Sequence, residues 1–209
     1  MPNKILHSVI WGGVLLVVVL LLMWNRLFPT PSPEMPTDWS VLIGIQTSDA
    51  PWPAEVKNLA SRLKTIGLPA LPEEGTVLHI HQHIDIFVNG VAVAIPSGIG
   101  INRGSGFIAS VHTHNASGII HIESPTVQTF TLGQFFDIWG VKFGTVGTDC
   151  LGSYCVGDDK NLRVYVNGTL YAGDLRSLEL KDHQEIVVTY GTERQLPNPI
   201  PVSYSFESQ

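Results

Sequence analysis

The chain has 209 residues, with 18 acidic and 12 basic side chains and a formal net charge of −6. This balance argues against nucleic-acid binding, which needs many Lys and Arg side chains to neutralise phosphates. Disorder throughout is also excluded, because 44% of the residues are hydrophobic and five Trp and eight Phe can build a core. The length fits one domain with additional segments.

The first predicted element is a membrane anchor over residues 1–26. Between Lys4 and Arg26 lie 21 residues without a formal charge, and as a helix they would span about 31 Å, close to the hydrocarbon thickness of a bilayer. A cleaved signal peptide is the alternative, but no small-residue cleavage site follows the apolar run. The numbers of positive charges on the two sides are nearly equal but slightly favour an N-terminus inside the cytoplasm, and no second span is apparent. We therefore expect a single-pass protein whose residues from about 27 onward lie outside the cytoplasm.

Two predicted elements connect this anchor to the rest of the chain. Residues 27–53 contain six Pro and predict a semi-rigid, extended tether. An amphipathic helix is predicted next, over residues 54–66, with Pro53 suited to its start and Gly67 to its end. Its apolar side chains recur at helical spacing on one face: Val56, Leu59, Ala60, Leu63 and Ile66.

From Val77 the hydrophobic pattern changes to a period of two, which is typical of β-strands. Asn89-Gly90 and Asn167-Gly168 each lie between two strand-like runs, and Asn-Gly is the strongest short-range signal of a β-hairpin. We therefore predict a mainly β (β-rich α+β) domain over residues 54–195, built from antiparallel hairpins in a sandwich-like arrangement.

The remaining predicted elements lie in the second half of the chain. Thr131–Trp139 is predicted to be a short helix, with Thr131 as its N-cap and Gly140 as its stop. The run Glu185–Tyr190 predicts a late strand. The tail, residues 196–209, contains three Pro and is predicted to extend over the surface.

Histidine is concentrated in one part of the chain. Six of the eight His residues fall between positions 79 and 121: His79, His81, His83, His112, His114 and His121. His7 lies in the predicted anchor, and His183 is predicted to be an ordinary surface residue.

The first group of histidines follows the period of a strand. Residues two apart share a face of a strand, so His79, His81 and His83 are predicted to project together with Asp85. Apolar residues form the opposite, core-facing row: Ile80, Ile84, Ile86 and Val88.

The second group is predicted to form a hairpin. If residues 116–117 form its loop, His112 lies opposite His121, and the two Cβ atoms are about 4.5–5.5 Å apart. The same register places His114 opposite Ile119 and Glu123 opposite Ser110. Three imidazoles can then converge on one point.

These imidazoles predict a metal site with His79, His81, His83, His112, His114 and His121 as candidate ligands. Neutral nitrogen donors at about 2 Å suit copper and zinc, and copper is favoured because it heads the affinity order. All three Met residues lie at or before position 35, which argues against a Met-rich Cu(I) carrier or a copper site with an axial Met. Asp85 and Glu123 are candidates for a further ligand, a base, or a group that orients an imidazole. A hydrogen-bonded, metal-free His face and a pH-sensing cluster remain as alternatives.

The two cysteines, Cys150 and Cys155, are predicted to form a disulfide in an oxidising compartment. The spacing C-x4-C fits neither a thioredoxin motif nor a Cys-rich zinc site. Closing so small a loop contributes about 2 kcal/mol in the chain-entropy description. A Cys ligand to the metal is the other interpretation.

Several segments together resemble an uncharacterised prokaryotic family of exported or membrane-anchored proteins. The segments are HIHQHIDIFVNG, VHTHNASGIIHIESP, FTLGQFFDIWG, DCLGSYC and LPNPIPVSY. The similarity covers roughly residues 75–205. It implies that the His stretches and the Cys pair act as a unit, and it implies no particular activity.

Three functional hypotheses follow. The first is a membrane-anchored, extracytoplasmic metal-binding protein for metal handling or an accessory subunit of a membrane complex. The second is a zinc- or copper-dependent enzyme, such as a hydratase, hydrolase or oxidase, with a three-His site. The third is a metal-free structural or interaction domain.

Overall fold

The computed structural model describes residues 39–144 and 149–206. The predicted anchor and residues 27–38 of the predicted tether lie outside this range. Among these residues, no helix is both long and apolar enough to span a membrane. The fold is mainly β, as predicted.

The main element is a seven-stranded sheet with the order β10-β9-β11-β1-β6-β5, in which β2 also pairs with β1. Its strands are β1 (Leu78–Val88), β2 (Val91–Val93), β5 (Val111–His112), β6 (Ile119–Ser124), β9 (Asn161–Val166), β10 (Thr169–Leu170) and β11 (Glu185–Gly191). Two small ribbons accompany it: β3 (Ile101–Asn102) with β4 (Phe107–Ile108), and β7 (Cys150–Leu151) with β8 (Tyr154–Cys155).

Strand β1 is the longest strand and organises the sheet. Its first half, Leu78 to His83, pairs antiparallel with β6, and its end pairs with β2. On its other edge, the residues from His83 onward pair parallel with β11. The predicted antiparallel hairpins are joined by this parallel pair, which is possible because β1 and β11 are far apart in sequence and no hairpin joins them directly.

Both Asn-Gly hairpins are confirmed. Asn89 and Gly90 have φ values of 51° and 83°, and Asn167 and Gly168 have 49° and 78°. Positive φ at both central residues is the requirement of a type I′ turn, which matches the twist of the flanking strands. Val88 pairs with Val91 across the first turn and Val166 with Thr169 across the second.

The core lies between one face of the sheet and the helix α2 (Leu132–Trp139), with its flanking loops. Every residue of α2 is buried. Thr131 accepts a hydrogen bond from the Gln134 backbone in a capping box, and Gly140 ends the helix with φ of 81°, so the predicted start and stop are confirmed. The core thus forms between a sheet and a helix, and not between two large sheets as the sandwich-like prediction implied.

The first helix, α1 (Leu59–Thr65), starts five residues later than predicted. The residues before it are not helical and make other hydrogen bonds. The Glu55 backbone amide donates to the Trp139 carbonyl, and the Glu55 carboxylate accepts from the Asn58 amide. Leu59 and Leu63 face the core as expected, whereas Ala60 is exposed.

The described part of the predicted tether packs against the domain. Trp52 is buried with its ring edge-on to Trp139, at a centroid distance of 6.0 Å, and the Trp139 indole donates to the Pro53 carbonyl. The tail beyond Leu196 has no helix or strand up to Phe206. Tyr204 stacks on the His83 ring at 3.9 Å.

Candidate metal centre

Three adjacent strands bring the two histidine groups together. His112 on β5 pairs with His121 on β6, and His121 pairs in turn with His81 on β1. One cross-strand row therefore carries three imidazoles. Two residues further along β6, Glu123 pairs with His79, and the Glu123 backbone amide donates to the Ser110 carbonyl. The predicted pairings of His112 with His121 and of Glu123 with Ser110 are confirmed.

The predicted pairing of His114 with Ile119 is wrong. The β5–β6 ladder ends at His112, because the backbone of Thr113 bonds to Gly98 and Ile99 instead, and Ile119 pairs with His83. The turn is therefore wider than predicted. His114 still contacts the cluster, since its ring centroid lies 4.4 Å from that of His121.

The opposite face of β1 is the core face, as the alternation predicts. Ile84, Ile86 and Val88 are buried, and Ile80 is half-buried. Gln82 also lies in this row, is fully buried, and has no hydrogen-bond partner for its amide among the described residues.

The ring nitrogens of neighbouring histidines lie close to one another. His79 Nε2 is 3.2 Å from His81 Nε2, and His112 Nε2 is 3.2 Å from His114 Nε2. Two nitrogens bound to one tetrahedral ion at 2.0–2.1 Å lie about 3.3 Å apart. Each pair thus has the spacing of two ligands on a common metal ion.

His112 is oriented by the backbone. Its Nδ1 lies 3.0 Å from the Ala109 carbonyl, which can only accept a hydrogen bond, so Nδ1 carries the proton and Nε2 presents a lone pair. A ligating His usually donates its other ring nitrogen in this way. His112 is fully buried, so this orientation is held by packing as well.

The carboxylate of Glu123 lies among the imidazoles. Its Oε1 is 3.2 Å from His79 Nε2 and 3.6 Å from His121 Nδ1, while its Oε2 is 3.9 Å from His112 Nε2. Burial and the nearby Glu74 carboxylate raise the pKa of Glu123. A cation between these groups would offset the cost of burying the ionised carboxylate.

The buried imidazoles stay neutral. Burial, and then the neighbouring His114, lower the pKa of His112 to about 4 and that of His121 to about 3. Burial and His79 also lower the pKa of His81. Neutral imidazole is the form that binds metal ions, and the Nδ1 of His121 is buried with no hydrogen-bond partner in the described structure.

One residue of the site was missed in the sequence analysis. Glu74 lies before β1, and its Oε1 is 3.6 Å from His114 Nε2. No periodicity marks this position, because the segment is irregular. Only its packing beside the β5–β6 turn brings it to the cluster.

His83 and Asp85 lie apart from the other candidates and form a separate group with Glu185. His83 Nδ1 is 2.9 Å from Glu185 Oε2, and its Nε2 is 2.9 Å from the Ser117 carbonyl. Burial alone would lower the pKa of His83, but Glu185, Asp85 and Ser117 together raise it. Both nitrogens then donate, which is the arrangement of a protonated, hydrogen-bonded imidazolium.

The cysteines and His183 lie outside the candidate metal groups, although the His183 backbone amide donates to the His81 carbonyl. Cys150 and Cys155 are bonded as a disulfide across the β7–β8 ribbon. The His183 side chain is 63% exposed and lies next to Asp182.

Comparison with known proteins adds no assignment. No protein-family model matches the chain, and no curated protein or solved structure matches it. The family resemblance of the motifs therefore stays a prediction.

Proposed function

We propose that this chain is a membrane-anchored, extracytoplasmic metal-binding protein that takes copper, with zinc as the second choice. It serves metal handling or acts as an accessory subunit of a membrane complex. The observation that carries the proposal is the cluster of five imidazoles and one carboxylate on strands β1, β6 and β5 and the turn after β5, in which His112 Nε2 lies 3.2 Å from His114 Nε2. Imidazole-rich sites favour copper and zinc over harder cations.

The proposed location is supported by two features of the chain. The uncharged run between Lys4 and Arg26 has the length of a membrane span, and the Cys150–Cys155 disulfide is typical of oxidising compartments. We expect the full chain in the membrane fraction and a variant lacking residues 1–38 in the soluble fraction. A full chain found only in the soluble fraction would contradict the anchor.

Metal content tests the function directly. The full chain, purified without a polyhistidine tag, should contain near-stoichiometric copper or zinc by elemental analysis. The triple variant H112A/H114A/H121A should lose it, while His183→Asn should retain it. Asn suits this control because residue 183 has φ of 57°, which Asn tolerates. A folded wild-type protein that takes up neither Cu(II) nor Zn(II) on titration would refute the proposal.

A metal-dependent enzyme is the second candidate, and the exposed rim of the cluster favours it. The side chains of His79 and His114 are 55% and 37% exposed, so water and a small substrate can reach a bound ion. A zinc-bound water in such a position becomes a nucleophile near neutral pH. The zinc-loaded protein should then hydrolyse activated esters or hydrate carbon dioxide faster than the triple variant, and equal rates would count against an enzyme.

A further inference from the structure

The histidine cluster is too wide for one ion. The ligand atoms divide into two groups, one with His79 and His81 and the other with His112 and His114, and within each group all atoms lie within 4.8 Å of one another. Two nitrogens on opposite sides of one ion are separated by at most about 4.2 Å, twice the metal–nitrogen distance. No single group contains all five imidazoles, so a single ion leaves one pair of histidines unused.

Two residues, His121 and Glu123, belong to both groups. The His121 ring lies between the two pairs, with its centroid 4.6 Å from His81 and 4.4 Å from His114. The two oxygens of Glu123 face different groups, since Oε1 lies near His79 and Oε2 near His112. This is the arrangement of a bridging carboxylate, and two-metal sites hold their ions about 3.5–4 Å apart.

We propose that the cluster binds a pair of ions bridged by Glu123. One ion lies on the His79–His81 side and the other on the His112–His114 side. His121, which belongs to both groups, supplies the fifth imidazole. Glu74 adds a second carboxylate at the rim, 3.6 Å from His114, to offset the charge of two cations. The exposed rings of His79 and His114 leave each side an approach from solvent. This inference rests on the proposed function and specifies the stoichiometry and geometry of that site.

The number of metal ions bound per chain distinguishes the bridged pair from a single metal site. The tag-free full chain is titrated with Cu(II), and in parallel with Zn(II), and the bound metal is counted by elemental analysis after desalting. We expect two ions per wild-type chain and one in each pair variant, H79A/H81A and H112A/H114A. His183→Asn is the matched control and should keep two.

Glu123→Gln tests the bridge without changing side-chain volume. Two carboxylate-bridged Cu(II) ions couple magnetically, so the wild-type protein should show much less electron paramagnetic resonance intensity than its copper content predicts. In Glu123→Gln, and in H79A/H81A with its single ion, intensity should match the copper content. Circular dichroism and a thermal melt verify that each variant is folded.

The outcomes distinguish failure of the pair from failure of the metal site. One ion per wild-type chain, or a folded pair variant that still binds two, overturns the bridged pair and leaves the proposed function intact. Two ions with full spectral intensity in the wild type overturn the bridge. No metal in the wild-type chain overturns both claims.

Discussion

At the scale of single residues, the cluster combines buried and accessible imidazoles. His112 and His121 are almost fully buried, whereas His79 is more than half exposed. Burying neutral imidazoles prepares ligands without the cost of removing a proton at neutral pH. The same burial makes the metal-free protein sensitive to acid.

We predict that the metal-free protein loses stability as the pH falls from about 6.5 to about 4. The folded pKa of His112 is lowered from 6.5 to about 4, so the unfolded chain binds more protons in this range and stability rises with pH. The contribution, fully present above pH 6.5, is about 3 kcal/mol for His112. Urea unfolding in the presence of a chelator measures it.

The control is the double variant H112N/H121N, which should show a flatter profile. The raised pKa of Glu123 acts in the opposite direction, since the folded protein accepts that proton more readily. Comparison with the variant isolates the histidine part. Identical profiles for the two proteins would show that these residues titrate normally in the folded state.

At the scale of secondary-structure elements, the turn into β6 determines where the cluster forms. Gly118 has φ of 86°, and its carbonyl accepts from the Ile84 amide of β1. A Cβ at this position would lie 2.7 Å from the Ile84 carbonyl oxygen and 2.8 Å from His83 Nε2. The absence of a side chain thus allows β6 to approach β1.

Gly118→Ala is expected to destabilise the protein by about 2–4 kcal/mol, because positive φ and steric overlap act together. Gly98→Ala is the matched control: its φ is 79°, but a Cβ there meets nothing within 4 Å. It should cost only about 1 kcal/mol. Equal losses in urea unfolding would show that backbone conformation alone matters at Gly118.

The end of α2 is stabilised by a buried cation. Arg62 donates to the carbonyls of Asp137 and Ile138 and to the Glu55 carboxylate. Arg62→Met should therefore lower the free energy of unfolding by about 3–5 kcal/mol, since it leaves these acceptors unpaired. Lys64 is an exposed residue of α1, the helix that carries Arg62. Lys64→Met should change the free energy of unfolding by about 0.5 kcal/mol or less. Similar losses in the two variants would contradict this role.

At the scale of the whole molecule, a site spanning three strands couples metal binding to the stability of the fold. A ligand at 100 times its Kd stabilises the folded state by about 2.7 kcal/mol. We therefore expect Cu(II) or Zn(II) to raise the Tm by about 5–10 °C, and a chelator to reverse the shift. Calorimetry of the full chain measures it, with the triple His variant as control. An unchanged Tm would favour the metal-free structural domain.

Local patterns predicted the elements better than their arrangement. The Asn-Gly turns and the capped helix α2 were predicted correctly, because turn and cap chemistry acts over a few residues. The start of α1 was misplaced, since Glu55 bonds to Trp139, a contact between segments far apart in the chain. The five histidines of the cluster and Glu123 were candidates from strand alternation and the hairpin register, whereas Glu74 lies in an irregular segment that carries no such pattern.

The sequence by itself determined that histidines share one face of a strand and that His112 meets His121, because both follow from the two-residue period and a short turn. The tertiary structure decided that the two groups form one cluster, through the pairing of β1 with β6, and that His83 lies apart with Glu185. The pairing of strands distant in the chain depends on how the core packs around α2. A local sequence pattern does not encode that packing. The position of Glu123 between two histidine pairs could therefore be seen only in the tertiary structure.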